Sequence, residues 1–515
     1  MNAIYSCCIA DPFLDVARTL ESKYGIVPVY WVGDIASSCY NDKPEAIVKE
    51  AYPQIEYQGF VDAWHGKFSQ EIMEGSSKMY VDIDFLNSFS PEELQALSMM
   101  DRLDYDRKSF NYMERESYFL NLVKRWLYVI NKYKPEIVIS AVNPHRVFDY
   151  VLYILCCYKG IKFISFQYSM YQSGRIFPLL YSLESDAMEK FIRDDYEKNL
   201  KNKYSYTDLP DDFKVELSRI NATYEDAKPF YMKTHSVDDA KNKRVLFLIK
   251  RFWGSHHIFG KHGILAEGQT MTTYKNSKYD IEETRFSLWD WYKKRKEALK
   301  YNKELHAFYN KIASGFSFDK KYIIFFLHYQ PEETTSPCGG IFANQFLCIE
   351  TLLKHTPDDV YIYIKEHPNQ FMSHMQGHMK RIKRFYVDLL KNPRVRFVPF
   401  EIDSFSLIKN SLAVSTVNGT VGWESVIRKK PVIIFGLIWY ECMRGVLRVK
   451  DEESAAKIYE FINNYKYNEQ ALYAYLCTFS QNTVLAYHYS TYKELTGISH
   501  DDSVKSIVQS LSSLL

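Results

Sequence analysis

A chain of 515 residues exceeds one ordinary core and predicts two large domains or three of average size. Hydrophobic content of 46% with 25% charged residues is that of a globular protein, and a net charge of +2 gives no field that argues for nucleic acid. Nine cysteines without metal-ligand spacing, no basic segment ahead of an apolar one over residues 1–10 and no apolar run of bilayer length argue against a secreted disulfide scaffold or a membrane span, and predict the reducing cytoplasm.

In chain order, residues 4–9 read as a first strand. Asp11 as N-cap and Pro12 at the first helical position then open a helix that runs to Tyr24 and stops at Gly25. Residues 27–32 form a second strand. From about 41 to 112 the sequence is irregular and polar, and no order of elements emerges. A helix over 112–133, a strand over 137–142, the turn Asn143-Pro144-His145, an apolar helix over 147–158 and a strand over 161–166 follow, placing His145 at a carboxyl edge. Between about 195 and 316 the pattern weakens into charged, helix-rich sequence, with 287–314 reading as one long amphipathic helix. Strands over 322–327, 360–364, 395–398, 412–414 and 432–435 then alternate with helices over 342–354, 372–390, 403–410 and 419–429, the signature of a parallel, doubly wound sheet. Residues after 451 are helical and Tyr-rich. The expected organisation is an N-terminal α/β lobe over 1–240, a helical linker or insertion over 241–317, a second α/β lobe over 318–450 and C-terminal helices over 451–515 that pack across both lobes.

Three polar clusters end strands of the second unit, and in an open α/β sheet ligands sit outside those carboxyl ends. In the first, His328-Tyr329-Gln330-Pro331-Glu332-Glu333, the paired carboxylates suit a general base on an acceptor hydroxyl or a nucleophile at an anomeric carbon; a solvated loop gives the same pattern. In the second, Lys365-Glu366-His367-Pro368, His367 suits hydrogen bonding to a phosphate or its protonation as it leaves, and Lys365 adds fixed positive charge. In the third, Ser415 to Glu424, a strand runs through Ser415 and Thr416 into a turn at Gly419 and a helix from Thr420. Unpaired N–H groups, small residues and hydroxyls there suit a phosphate, and Glu424 suits a ribose diol; an ordinary capped helix has the same composition.

Other candidates are weaker. His145, with Asp149 one turn on, suits acceptor binding or base work, against core and cap roles. His256-His257 lacks further metal ligands, and Trp289-Asp290-Trp291 could stack on sugar but suits core packing better. The basic runs Lys293-Lys294-Arg295-Lys296 and Lys380-Arg381-Ile382-Lys383-Arg384 read as solvated helix faces, or as contacts to anionic lipid headgroups at the inner membrane. No Gly-rich Lys-Ser/Thr phosphate loop, HExxH or GxSxG is present, and no Asp-x-Asp pair stands at these strand ends, so neither metal nor cofactor is expected.

On Gln330 to Glu333, Lys365 to Pro368 and Ser415 to Gly436 the chain resembles the bacterial capsular polysaccharide synthesis family, which includes the capsule β-Kdo transferases. The resemblance implies a GT-B-like fold of two Rossmann-type lobes facing a cleft. It also implies transfer of a CMP-activated ulosonic sugar, Kdo or a nonulosonic acid such as pseudaminic or legionaminic acid, to a glycan or lipid-linked glycan acceptor. By the same resemblance His367 binds the CMP phosphate, Ser415 and Thr416 stand opposite, and Glu424 lies near the ribose. Glu332-Glu333-Thr334 occupies the stretch where those enzymes carry an attacking aspartate, which leaves the nucleophile and the retention of configuration open. Rival expectations are a UDP-sugar or CDP-polyol transferase, a sugar-nucleotide epimerase on the same fold, and a non-catalytic sugar-binding assembly factor.

Overall fold

The computed structural model describes residues 1–33, 44–104, 107–108, 110–169, 174–222, 273–276, 281–284, 288–332, 334–372, 375–488, 492–493 and 496–515. The first sheet contains β1 (Asn2–Ser6), β2 (Val27–Val32), β3 (Glu56–Gln58), β4 (Ile137–Ser140), β5 (Lys162–Tyr168) and β6 (Arg175–Leu180). A separate antiparallel pair, β7 (Thr273–Asn276) and β8 (Ile281–Thr284), follows. The second sheet contains β9 (Lys321–Phe326), β10 (Val360–Lys365), β11 (Val395–Phe397), β12 (Ala413–Thr416), β13 (Val432–Ile434) and β14 (Val446–Arg448), and β15 (Val484–Leu485) returns to the first.

Strand order in the first sheet is β15-β6-β5-β4-β1-β2-β3. Its five strands from β3 to β5 are parallel, while β6 and β15 run antiparallel to their neighbours. The second sheet, β11-β10-β9-β12-β13-β14, is parallel throughout. Both are buried on two faces. Ile4, Val138 and Phe163 enter one core while Ala3, Tyr5, Ile137, Ile139 and Ile164 enter the other. Tyr322, Ile324 and Val414 lie on one side of the second sheet, with Ile323, Phe325 and Ala413 opposite. Burial on both faces is why these strands read as continuous apolar runs rather than as alternations. Two Rossmann-type lobes of this kind form the GT-B-like α/β architecture.

Segment 44–104, which had no sequence-level order, folds into short helices around β3, from Pro44–Ala51 to Ser90–Met99. The long helix Tyr112–Tyr133 has the expected bounds and opens on a capping box between Asn111 and Glu114. The expected helix over 372–390 is broken instead: two 3₁₀ turns, Pro368–Phe371 and Gly377–Met379, precede a short helix, Lys383–Leu389. The Gln370 side chain donates to the Gly377 carbonyl at 2.9 Å, and a β-carbon on Gly377 would come within 2.0 Å of the Gln370 carbonyl oxygen.

After the second sheet the chain crosses back. The helix Glu469–Asn482 lies between lobes: the Tyr475 hydroxyl donates to the Trp439 carbonyl, and the Tyr196 hydroxyl of helix Ala187–Asn199 donates to the Ala471 carbonyl at 3.1 Å. β15 then extends the first sheet, and the helix His500–Ser512 packs on Ala10–Tyr24. Asp11 has the extended backbone of an N-cap, but its carboxylate serves that helix pair rather than a cap. One oxygen accepts from the Tyr487 hydroxyl at 2.5 Å and stands 2.7 Å from His500 Nδ1, while the other takes Lys493 Nζ at 2.8 Å. His500 Nε2 meets Asp15 at 2.9 Å.

Among the described residues no helix is long and apolar enough to cross a membrane.

Candidate functional site

The second sheet reverses direction of growth between β9 and β12, since the chain proceeds from β9 outward to β10 and β11 and then returns to β12 on the other side. Such a switch point leaves a crevice at the carboxyl ends of the two central strands. His328 leaves β9 at this crevice, and Asn418 and Gly419 leave β12. The imidazole Nε2 of His328 accepts the Asn418 N–H at 3.3 Å and lies 3.0 Å from Thr416 Oγ1. A backbone N–H can only donate, so the ring carries its own proton on Nδ1, which stands 2.7 Å from Glu332 Oε1. Glu332 Oε1 is buried and, close as it is to Nδ1, has no partner aligned as a hydrogen bond among the described residues, whereas 21% of the side chain is exposed. Any reaction of this carboxylate therefore falls to Oε2.

Gly419 precedes the helix Thr420–Ile427, whose N-terminus has no side-chain cap. The Gly422 N–H turns back to the Gly419 carbonyl at 3.1 Å, and the Thr420 and Val421 N–H groups, without an acceptor among the described residues, face outward for an anion. A side chain at 419 would crowd the crevice, with a β-carbon 2.9 Å from Thr416 Oγ1 and 3.3 Å from His328 Nε2. The Thr420 hydroxyl sits on the exposed first turn of the same helix.

His367 follows β10. Its Nδ1 accepts the Asn369 N–H at 3.1 Å, which leaves Nε2 as the N–H donor. Burial lowers its pKa to about 4; the Glu332 carboxylate opposes that shift, and His328 and Arg381 add to it. The imidazole is thus neutral at neutral pH, a hydrogen-bond donor rather than a standing cation. The residue before it is the hub of this edge. Glu366 is buried, receives the Tyr386 hydroxyl at 2.6 Å and the His367 N–H at 3.0 Å, and pairs with Arg381 at 3.0 Å. Arg381 also donates to the His328 carbonyl at 3.2 Å, so it is a buried tie between two strand ends and not part of a solvated basic face.

Several expected site residues serve the scaffold instead. Lys365 donates from Nζ to the carbonyls of Pro399, Phe400 and Ile402, at 3.2, 3.2 and 2.6 Å, and has no N–H left for a phosphate; burial lowers its pKa to about 8. The Ser415 hydroxyl donates within the sheet to the Ile433 carbonyl at 3.1 Å. Gln330 is buried, donating to Thr335 Oγ1 and the Ala343 carbonyl, so it shapes the loop that presents Glu332. Glu424 turns toward the helix Asp211–Asn221, where Arg219, Glu216 and its neighbour Arg428 act on it. Its carboxyl makes no hydrogen bond among the described residues, and burial raises its pKa to about 7. Glu333, His256 and His257 lie outside the described residues, as do the side chains of Trp289, Asp290 and Trp291.

The first lobe meets this crevice through the loop after β4. Arg102 donates to the carbonyls of Glu332 and Ser336, both at 3.2 Å, and to the His145 carbonyl at 2.5 Å. Gln95 donates to Ser336 Oγ at 2.8 Å, and Asn143 Nδ2 lies 3.0 Å from Cys338 Sγ. The carboxyl edges of the two sheets therefore face one another. Asp149 is fully buried at this junction. Its Oδ2 takes the His145 N–H at 3.4 Å, its Oδ1 has no hydrogen-bond partner among the described residues, and burial raises its pKa to about 6. Burial lowers the His145 pKa to about 4. Sequence reading did not single out His328, though its spacing four residues before Glu332 was a visible signal. Arg102 and Gln95 had none, because they lie in the stretch whose fold the sequence left unordered.

Comparison with known proteins places these residues in a lineage. A stretch of 103 residues, 20% of this chain, is 31% identical to the "Capsule polysaccharide modification protein LipA" of Neisseria meningitidis serogroup A, and covers only 14% of that relative's length. Among solved structures, the Methanocaldococcus jannaschii UDP-GlcNAc 2-epimerase in complex with UDP-GlcNAc and UDP is 15% identical, with 91% of this chain and 94% of that one covered and a TM-score of 0.23. The Thermosulfurimonas dismutans KpsC β Kdo 2,7 transferase is 11% identical, with coverage of 75% and 89% and a TM-score of 0.28. Likeness at that level carries no argument about chemistry. The family model described as "Capsule polysaccharide biosynthesis protein" matches residues 204–489, more than half of the chain. That span takes in all three strand-end clusters and the buried network joining them: the chain belongs to the capsule polysaccharide biosynthesis protein family.

Proposed function

We propose that this chain is a glycosyltransferase that moves an ulosonic sugar, Kdo or a nonulosonic acid, from its CMP-activated donor to a glycan or lipid-linked glycan acceptor of a capsule or O-antigen. The observation that carries the reading is the convergence, at the β9/β12 switch point, of an uncapped helix N-terminus, the neutral Nε2–H of His367 and a carboxylate with one oxygen buried. A CMP-sugar leaves with a single phosphate, which suits so compact a set of donors. As the bond between the anomeric carbon and the phosphate oxygen breaks, its electron pair passes to the phosphate. The helix N–H groups and His367 meet that charge without needing to reorganise. Glu332 Oε2 then has one of two tasks. It takes the proton of the attacking acceptor hydroxyl in a single displacement, or it bonds to the anomeric carbon first and is displaced by the acceptor oxygen in a second step. The acceptor enters from the first lobe, beside His145 and Asp149. No divalent cation is required in this scheme, so EDTA leaves the rate unchanged. The expected place of work is the inner face of the cytoplasmic membrane, where a lipid-linked acceptor would present its glycan.

Melting curves with CMP, UDP and CDP test the donor, because a ligand held only by the native state raises the transition. CMP is expected to stabilise most; stabilisation by UDP or CDP alone would replace the donor with the corresponding sugar or polyol nucleotide. Mass spectrometry of products from a panel of CMP-sugars and extracted glycolipids tests the transfer. Glu332→Gln is expected to lower its rate by at least about a hundredfold with little change in melting temperature. If Glu332→Gln and Glu333→Gln, singly and together, leave the rate intact, neither carboxylate acts in the reaction. Binding of sugar and nucleotide without turnover under any pairing would mark an assembly factor instead.

A further inference from the structure

We propose that His328 is a positioning residue for Glu332, orienting its carboxylate against the donor-side turn; the inference rests on the transferase reading above. The backbone of His328 is fixed on both sides: its N–H goes to Gln345 Oε1 at 2.7 Å, and its carbonyl accepts from Arg381 at 3.2 Å. With the main chain clamped, the ring has little freedom, and only 10% of the side chain is exposed. One edge of the ring reads the turn after β12, through the Asn418 N–H and Thr416 Oγ1. The other edge stands 2.7 Å from Glu332 Oε1, a close pair of atoms not aligned as a hydrogen bond in the resting structure. The imidazole is therefore a rigid spacer between the loop where a nucleotide phosphate would sit and the carboxylate proposed to act on the sugar. A change in the turn reaches Glu332 through five ring atoms and no rotatable bond.

Other charged or titratable groups also face this pair. Arg102, Tyr329, Cys338 and His367 all sense the Glu332 charge, and Arg381 lies on the carbonyl side of His328. None of them spans the two loops with a single ring. Arg102 grips the Glu332 main chain, so it sets the height of the loop rather than the rotation of the carboxylate.

The two edges of the ring can be removed separately. In His328→Asn the side-chain amide reaches about as far as Nδ1, so a donor to Glu332 is kept and the contact to Asn418 is lost. In His328→Gln the amide oxygen reaches about as far as Nε2, so the Asn418 contact is kept and the donor to Glu332 is lost. Steady-state transfer is measured with CMP-Kdo and extracted glycolipid acceptor, or with whichever CMP-sugar the full-length protein turns over, alongside melting curves with CMP. We expect His328→Gln to keep the CMP-induced shift and its donor KM while kcat falls about a hundredfold, the scale of a misplaced reacting group, with a displaced acid limb in the pH profile of kcat. We expect His328→Asn to keep kcat within about tenfold while the donor KM rises. A merely structural histidine would instead lower the melting temperature and the CMP shift together in both variants, with no split between kcat and KM and an unchanged pH profile; that result overturns the proposal. A second readout does not depend on turnover. Histidine nitrogen-15 spectra, with the His328 signal assigned by its loss in His328→Gln, should show the Nδ1–H tautomer and a change in Glu332→Gln. An Nε2–H tautomer, or a signal indifferent to Glu332→Gln, overturns the inference even if no CMP-sugar is a substrate. Absence of any CMP effect in the wild-type protein, with the Nδ1–H tautomer and its response to Glu332→Gln present, sinks the donor reading alone.

Discussion

Lys365 and His367 are two residues apart at the end of the same strand, and their fates differ because of side-chain reach. The long Lys365 side chain bends under the 399–402 loop and satisfies three carbonyls. His367, shorter and held by the Asn369 N–H, keeps its donor edge free of that loop. Removing the Lys365 ammonium leaves the three carbonyls without their donor, so Lys365→Met should destabilise the fold by about 1–3 kcal/mol. If the ammonium is purely structural, the same variant should retain the CMP-induced melting shift; loss of that shift with an unchanged melting temperature would return Lys365 to the phosphate. At this scale the sequence was legible for residue type and strand end but not for partners. The residues that satisfy Lys365, Glu366 and Arg381 come from segments separated by 15 to 53 positions, and nothing local marks such pairings. Lys380-Arg381 looked like a solvated run for the same reason. Arg381 is nine-tenths buried against Glu366, and Lys380 pairs with Asp101 of the opposite lobe.

Among elements, the turn from β12 into the helix Thr420–Ile427 was the most legible, because its requirements are local: small residues, a free helix end and an apolar strand before it. Gly419 has an ordinary φ of −79°, so its role is space and not backbone freedom. Gly419→Ala should therefore cost about 1–3 kcal/mol through crowding of Thr416 and His328, and it should weaken CMP binding further than the loss of stability explains. A melting curve with and without CMP separates the two; an alanine that is tolerated in both would remove the close approach from the site. Less legible were elements that depend on distant pairing. β6 pairs antiparallel with β5, and its other antiparallel partner β15 lies more than 300 residues later, so periodicity alone gave no reason to place either in the first sheet. The helix expected over 372–390 failed for a different reason. Gly377 packs its backbone directly on Gln370, a tertiary contact that overrides the local helical pattern.

For the whole molecule, the two lobes are tied at the carboxyl edges by Arg102 and again at the far side by the C-terminal return. The second tie is sensitive to pH. Both ring nitrogens of His500 face carboxylate oxygens, an arrangement that requires the imidazolium and raises the His500 pKa above its ordinary value of 6.5. Burial opposes that rise, and the hydrogen bonds and charges of Asp11 and Asp15 overcome it. Burial pushes both carboxylates upward as the largest single cause, and the combined hydrogen bonds and charges of Lys493, Tyr487 and His500 on Asp11, and of Arg18 and His500 on Asp15, hold them below 3.8. A raised folded-state pKa for a base gives stability that is complete below the unfolded pKa and lost as pH rises through the folded one. A depressed carboxylate pKa gives stability lost as pH falls through it. The tie is thus strongest between the lowered range of the carboxylates and the raised pKa of the imidazolium. His500→Gln should lower the melting temperature more at pH 6 than at pH 9, and a difference independent of pH would show that the ring is not charged in the folded protein.

The return of β15 to the first sheet also sets an order of events during synthesis. Residues 1–222 hold most of the first lobe, yet the free edge of β6, with the apolar Ile176 of its Arg175–Ile176 pairing stretch, stays uncovered until residues 484 and 485 have been made. The second lobe, by contrast, holds all six of its strands between residues 321 and 448 and closes first. The β6 edge therefore stays open on the ribosome while the whole second sheet is being made, and the strand that seals it comes from beyond that lobe.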